Sequence, residues 1–302
     1  MSSSLISSRE EADADGEPAD LSPAVTRGDL EADKRQRALQ RRSRLLGFGI
    51  PVLSLAAVVI AWDIAIRIFD IAPFILPPPV EVWDELIAQL QDEQYRHHTY
   101  ATMKAVVIGF LVATVSGVLL GVAMATWRGA YRVLYPPIIA SQGVPKTAVA
   151  PLFLLWFGFG MTSKVMIASL IAFFPVVVGT LHGLQSVSPD LLRLGRSVGL
   201  SGTRLFLKIR LPAALPEVFT GLKVGITLSI VGAIVAEFVA ANEGLGYMLI
   251  ISMAQMRTQV VMATLCILAL AGVILYGIIE VLERVAIPWH VASGRKHIVV
   301  SS

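Results

Sequence analysis

The sequence predicts an all-α integral membrane protein with about six transmembrane helices and a polar two-helix loop between spans 4 and 5. Three observations predict it. The chain of 302 residues is 55% hydrophobic and 16% charged, against about 25% charged in soluble domains. Its apolar residues gather in blocks long enough to cross a hydrocarbon core of roughly 30 Å, which takes about 20 residues of helix. Its basic residues sit between alternate blocks, the asymmetry that orients membrane helices. The formal charge of +3 is too small to point to nucleic acid, and the single cysteine, Cys266, lies inside an apolar run and excludes an internal disulfide.

Residues 1–44 read as a disordered tail. Glu10 to Asp20 is acidic, Lys34 to Arg44 is basic, and neither stretch carries an apolar stripe that could bury itself. The basic stretch lies well inside the chain, which speaks for an uncleaved first helix rather than a secretory signal. Residues 45–98 hold the first span, about 45–69, and an amphipathic segment. In that span Asp63 and Arg67 are four apart and can pair on one helix face. In Pro77 to Gln91 the prolines set a helix start and Glu81, Asp84 and Glu85 fill its first turns. Val82, Trp83, Leu86, Ile87 and Leu90 form a stripe at helical spacing. The segment is too polar to span and is expected at the outer interface, with Trp83 near the headgroups.

Residues 99–290 hold the core, with spans expected at about 99–126, 134–157, 163–184, 218–241 and 260–282. The third is interrupted by Pro136, Pro137, Pro145 and Pro151. Backbone groups freed by proline need protein or water as partners, so this span is expected to line the bundle interior. Residues 291–302 form a second tail. Basic flanks fix the orientation. Arg41, Arg42 and Arg44 precede the first span, and Arg128 and Arg132 separate the second from the third. Arg193, Arg196, Arg204, Lys208 and Arg210 fill the loop between the fourth and fifth, and Arg295 and Lys296 follow the last. The alternate loops hold only Arg96, Lys164 and Arg257. Both termini and the loop between spans 4 and 5 are therefore expected on the cytoplasmic side.

That loop carries the densest local signals. Ser188-Pro189-Asp190 is a helix start, with a capping serine, a proline at the first position and an acid at the positive helix end. Gly199 permits a sharp bend. Ser201 can cap a second short helix running to about Ile209 and ended by Pro212. Two helices joined at a glycine elbow make a compact wedge.

From Gly199 the spacing is nine residues, Ile209, one residue, then Leu211 and Pro212. This is the glycine-to-proline half of the pattern E-A-A-x3-G-x9-I-x-L-P, and it resembles the cytoplasmic coupling loop of permease subunits of bacterial ATP-binding-cassette (ABC) importers. Arg193, Leu194 and Gly195 stand where that family has E-A-A, replacing an acid with a base at the first position. Further runs are Phe74-Ile75-Leu76-Pro77-Pro78-Pro79, Ala150 to Gly160 (APLFLLWFGFG) and Gly244-Leu245-Gly246-Tyr247. They are similar to the nitrate, sulfonate and taurine branch of the binding-protein-dependent transport inner-membrane components. The resemblance covers most of the chain from about residue 45. It implies a permease in the bacterial inner membrane, working as a homodimer with two ATP-binding subunits below and a periplasmic binding protein above. It implies a small, anionic cargo, and Arg193, Gly195, Gly199, Ser201, Ile209, Leu211 and Pro212 as the segment that engages the ATPase. The 77–91 segment is then either a plain linker or a surface that receives the binding protein.

Ionisable groups inside a span are costly and point to function by default. Gln142 and Lys146, four apart in the proline-broken span, could present a donor and a positive charge to a passing anion, or Lys146 could hold a freed carbonyl. Glu237, near the outer end of the fifth span, is either on the translocation path or a hydrogen-bond anchor for the following loop. Lys104 and Lys223 are expected to snorkel and Glu280 and Glu283 to reach water. No G-x-x-x-x-G-K-[ST] loop is present, so ATP and its magnesium belong to a partner subunit, and no cofactor is expected on this chain. His97 and His98 are adjacent and have no metal-site spacing, and no G-x-S-x-G elbow occurs. An enzyme is not expected. An ion-gradient-driven secondary transporter or a membrane scaffold would need no such coupling loop.

Overall fold

In a bilayer an apolar segment must satisfy its own backbone, which restricts it to helix or closed barrel. Every regular element among the described residues of the computed structural model is helical. These residues are 53–240 and 242–289; the 1–44 tail, the first part of span 1 and the 291–302 tail lie outside them. The chain divides into two units, residues 1–61 and 62–302. Of the first, the described residues 53–61 are helical.

Residues 53–69 are α1. Then follow α2 (Pro79–Gln91), α3 (Glu93–Thr126), α4 (Arg128–Gln142), α5 (Lys146–Phe157) and α6 (Met161–Gln185). The polar segment holds α7 (Pro189–Ser197), α8 (Gly202–Leu205) and a π turn (Phe206–Arg210). It leads into α9 (Leu211–Ala240), α10 (Leu245–Ala254) and α11 (Thr258–Ala286). The pairing of Asp63 with Arg67 is present at 2.7 Å. Helix α2 forms as the proline and acid signals predict, and Trp83 is exposed on it.

The core is a three-helix contact of α3, α6 and α9. Helix α6 lies at its centre, and of the four long apolar helices α11 is the most open to the surroundings. Apolar packing gives no net advantage over lipid, so helices in a membrane gain from close backbone approach at small residues. That is how α6 and α9 meet. A methyl group on Gly221 would sit 2.6 Å from the Pro175 carbonyl oxygen, and one on Gly232 would sit 2.6 Å from the Ala168 Cα. Beside them Ala105, Val106, Phe110, Ala168, Ile226 and Ile230 form the main apolar cluster.

Some expectations hold and others need correction. Four helices are long and apolar enough to cross a membrane among the described residues, and the bent pair of α4 and α5 counts as a fifth if the two together make one span. The six-span reading therefore rests on α1, whose start is outside the described residues. The third span is broken, as its prolines predict: α4 and α5 meet at 104°. Pro136, Pro137 and Pro151 lie inside the two helices, and the break falls at Gly143-Val144-Pro145. A residue before proline is pushed out of the helical region, which sets the break there. Pro212 does not end a helix either. Gly202 to Val239 runs on as one long helical segment. The π turn, where the Leu211 N–H donates to the Phe206 carbonyl, shifts the hydrogen-bond ladder just where Pro212 supplies no N–H. Lys223 does not snorkel alone and Glu283 does not stand in water: their side chains pair at 2.5 Å between α9 and α11, each less than a fifth exposed.

Candidate functional site

The polar segment is built from helix-end chemistry. Ser188 caps α7, its hydroxyl accepting from the Leu191 N–H at 3.2 Å, with Pro189 at the first helical position. At the other end Gly199 has φ +81°. Its N–H donates to the Arg196 carbonyl, and the Leu200 N–H donates to the Gly195 carbonyl at 3.0 Å. This pair of bonds, six-to-one around five-to-two, is a Schellman stop, and it needs a residue that tolerates the left-handed conformation. The motif glycine is therefore a helix C-cap, and the elbow expected there is present.

Gly195 is buried where α7 meets the following turn. A methyl group there would meet only the mobile ends of the Ile209 and Leu205 side chains, so nothing in the backbone demands glycine where the resemblance has alanine. Arg193 points outward with its side chain 78% exposed and only a 3.5 Å contact to Asp190. Ser201 stands at the N-cap of α8 but makes no side-chain cap bond, contrary to the expectation; the short helix that follows starts on backbone contacts from the Ser201 carbonyl. Ile209, Leu211 and Pro212 are half-buried at the root of α9. Leu194, Val198 and Leu207 are each more than half exposed on this segment, with no protein over them.

Arg210 is a member of this site that the sequence reading counted only as positive charge. Its Nε donates to the Leu184 carbonyl at 3.0 Å and an Nη to the Ala125 carbonyl at 3.1 Å. One planar guanidinium thus satisfies the C-terminal carbonyls of α6 and α3 together, where helix dipoles favour a cation. It also walls a cavity of about 640 Å³ beside the segment, with Val122, Thr126, Leu192 and Phe206.

The path candidates separate. Gln142 ends α4 and Lys146 opens α5, so the sharp bend between them removes the shared helix face that a four-residue spacing predicts. Gln142 is exposed, and Lys146 is half-buried with its ammonium 4.0 Å from the centre of the Phe174 ring. Glu237 is 1% exposed, and its carboxylate accepts from the Gly246 N–H and from the Thr102 hydroxyl, both at 2.8 Å. Lys164, read from sequence as a weak loop charge, is its partner: buried at 3% exposure, its ammonium lies 3.4 Å from Glu237 and 2.6 Å from the Glu243 carbonyl oxygen. No local signal joins these two, because each sits alone in its own apolar segment.

The model of the "binding-protein-dependent transport system inner membrane component" family matches residues 114–286, more than half of the chain. The formylaminopyrimidine transport permease ThiX of Halalkalibacterium halodurans is 35% identical over 79% of this chain and 95% of its own. The riboflavin transport system permease RibX of Chloroflexus aurantiacus is 34% identical over 84% and 94%. The taurine transport system permease TauC of Escherichia coli is 31% identical over 78% and 88%. Among solved structures, an inward-facing MetNI methionine ABC transporter chain superposes with a TM-score of 0.54 at 15% identity, over 62% of this chain and 93% of that one. At that identity the superposition speaks for the fold alone. With the helical architecture, the glycine-capped polar segment and these relatives together, the chain belongs to the binding-protein-dependent transport system inner membrane component family, as a multi-pass permease subunit of an ABC transporter.

Proposed function

We propose that this chain is the membrane-spanning subunit of an ATP-driven importer. It works as a homodimer in the bacterial inner membrane with two copies of an ATP-binding subunit, and it passes on a small solute delivered by a periplasmic binding protein. The observation that carries the reading is the coupling segment: Leu194, Val198 and Leu207 exposed on a rigid, Schellman-capped wedge. Apolar side chains left open outside the bilayer mark a partner surface. The wedge continues through the π turn into α9, so a partner moving it moves a span.

In vesicles holding the assembled complex and treated with ionophore, uptake is expected to require ATP and to survive the loss of every ion gradient. Uptake that follows the gradient instead would support a secondary transporter and sink this reading. Both termini and the wedge are cytoplasmic in it. A cysteine at Ser201, in a Cys266→Ala background, is therefore expected to react with impermeant thiol reagents only when the cytoplasmic face is open.

The cargo is proposed to be anionic. The named relatives divide between nitrogen heterocycles and a sulfonate, and what supports an anion is the chemistry of Lys146. Its ammonium rests on an aromatic face, and no carboxylate pairs with it among the described residues. Lys146→Met is expected to lower uptake of taurine, taken as the test anion, at least tenfold per assembled complex and to leave riboflavin uptake unaffected. An unchanged taurine rate would remove the cargo role.

A further inference from the structure

The loop after α9 is held in an unusual way. Three consecutive N–H groups at the start of α10 and one carbonyl of the loop before it go to side chains of three different helices. The Gly244 N–H donates to His98 Nδ1 at 3.0 Å, and the Leu245 N–H to the Thr102 hydroxyl at 2.8 Å, both on α3. The Gly246 N–H donates to Glu237 at the end of α9, and the Glu243 carbonyl accepts from Lys164 in the first turn of α6. The loop is moulded to the carboxylate: Gly244 has φ +120°, and a methyl group on it would overlap the Glu237 oxygens. The knot reaches the surface through Glu243, whose carboxylate is 3.2 Å from His97 and 3.9 Å from Lys164.

The same two helices, α6 and α9, are joined at their other ends by the coupling segment and by Arg210 on the Leu184 carbonyl. Between those ends they are in glycine contact, Gly179 against Gly221 and Gly183 against Ala214, which leaves little room to slide. Interfaces packed this closely move as bodies rather than bending.

We infer that Lys164 and Glu237 are positioning residues, a charged staple that makes α6, α9 and the 242–246 loop one lever. Displacement of the coupling segment then reaches the loop and the α10 helix it carries. The inference rests on the importer reading for what moves the segment, but the staple itself does not. A buried ion pair need not add stability, yet losing one partner strands the other charge, and removing both restores neutrality. That asymmetry separates a charge staple from ordinary packing.

The test is amide hydrogen exchange on the full chain in lipid nanodiscs. Lys164→Met is expected to speed exchange at residues 244–246 at least tenfold. Glu237→Gln is expected to do so less, because Glu243 can take over part of the lysine. The double variant is expected to return to within threefold of the native rate, since glutamine still accepts from Gly246 and Thr102. Glu243→Gln, on a half-exposed side chain, should stay near native. A double variant as fast as Lys164→Met would overturn the staple.

In the complex with its ATPase subunit, adding ATP and magnesium is expected to change exchange at both 189–210 and 244–246. In Lys164→Met only the first change should remain. A native complex that responds at 189–210 and not at 244–246 would overturn the lever while leaving the importer reading in place. Failure to capture any ATPase subunit would instead count against the importer reading, and the rescue in nanodiscs would still decide the staple.

Discussion

Gly221→Leu is expected to cost the protein its folded core. The added side chain would start 2.6 Å from the Pro175 carbonyl oxygen and 3.2 Å from the Gly179 Cα, both backbone atoms that no rotamer change can move aside. Overpacking typically costs about 1–3 kcal/mol, and a backbone obstacle puts this site at the upper end, about 3 kcal/mol. Small residues at a membrane helix crossing are what permits the contact, so separating α6 from α9 forfeits most of its dispersion energy. Gly272→Leu is the matched control, because its nearest neighbour is the Ile230 Cδ1 at 3.5 Å, an ordinary contact with a mobile side chain. The monodisperse fraction in detergent after a heating series reads the difference. Equal survival of the two variants would show that the α6–α9 contact is not where stability lies.

The second large effect falls on function and leaves the fold intact. Gly199→Val is expected to uncouple transport from ATP hydrolysis without reducing membrane insertion. No atom lies within 4 Å of where a Cβ would stand, so there is no clash, and the whole penalty comes from φ +81°. A β-branched residue held there costs on the order of 1–3 kcal/mol, enough to open the Schellman stop and loosen the angle between α7 and the following turn. Because the strain is conformational, the loss of coupling should rank valine above alanine and alanine above asparagine, which tolerates the left-handed region. Transport per ATP hydrolysed, measured on assembled complex, gives the ranking. A valine variant with native coupling would remove the elbow from the mechanism.

Both effects trace to glycines, but only one of these was readable beforehand. Gly199 announces itself through its neighbours, with a serine-proline-acid helix start behind it and a fixed spacing to Ile209, Leu211 and Pro212 ahead. Helix caps and turn residues act within a few positions, so their meaning is written locally. Gly221 carries no such signal. It is one of 24 glycines, and what makes it matter is the Pro175 carbonyl of another helix.

Prolines divide in the same way. Pro189 was readable as a helix start, since that position needs no N–H. Pro212 looks locally like a stop, but a π turn just before it absorbs the missing donor, and π turns have no short-range signature. Of the four prolines in the third span, only Pro145 coincides with the break. The others sit inside helices, which neighbouring helices allow in a membrane.

The ten residues of α10 carry no clear local signal, being too short to span and too apolar to look like a loop. That helix ends with Met256 at φ +54°, a left-handed methionine held by bonds from Met256 to the Met253 carbonyl and from Arg257 to the Ser252 carbonyl. A non-glycine residue in that conformation persists only where its surroundings enforce it.

Local residue patterns are enough to show the class of the protein, the course of its long helices, and the start and glycine stop of α7. Hydrophobic block length, basic flanks and capping residues act between near neighbours, and the bilayer leaves an apolar block few alternatives to helix. The tertiary structure alone decided what the ionisable groups do. Lys164 belongs with Glu237, Lys223 with Glu283, and Arg210 with two helix ends. In a medium of low polarity a charge is defined by whatever lies within a few ångströms of it. For these residues that partner comes from a distant part of the chain, brought there by glycines whose role also appears only once the helices are packed.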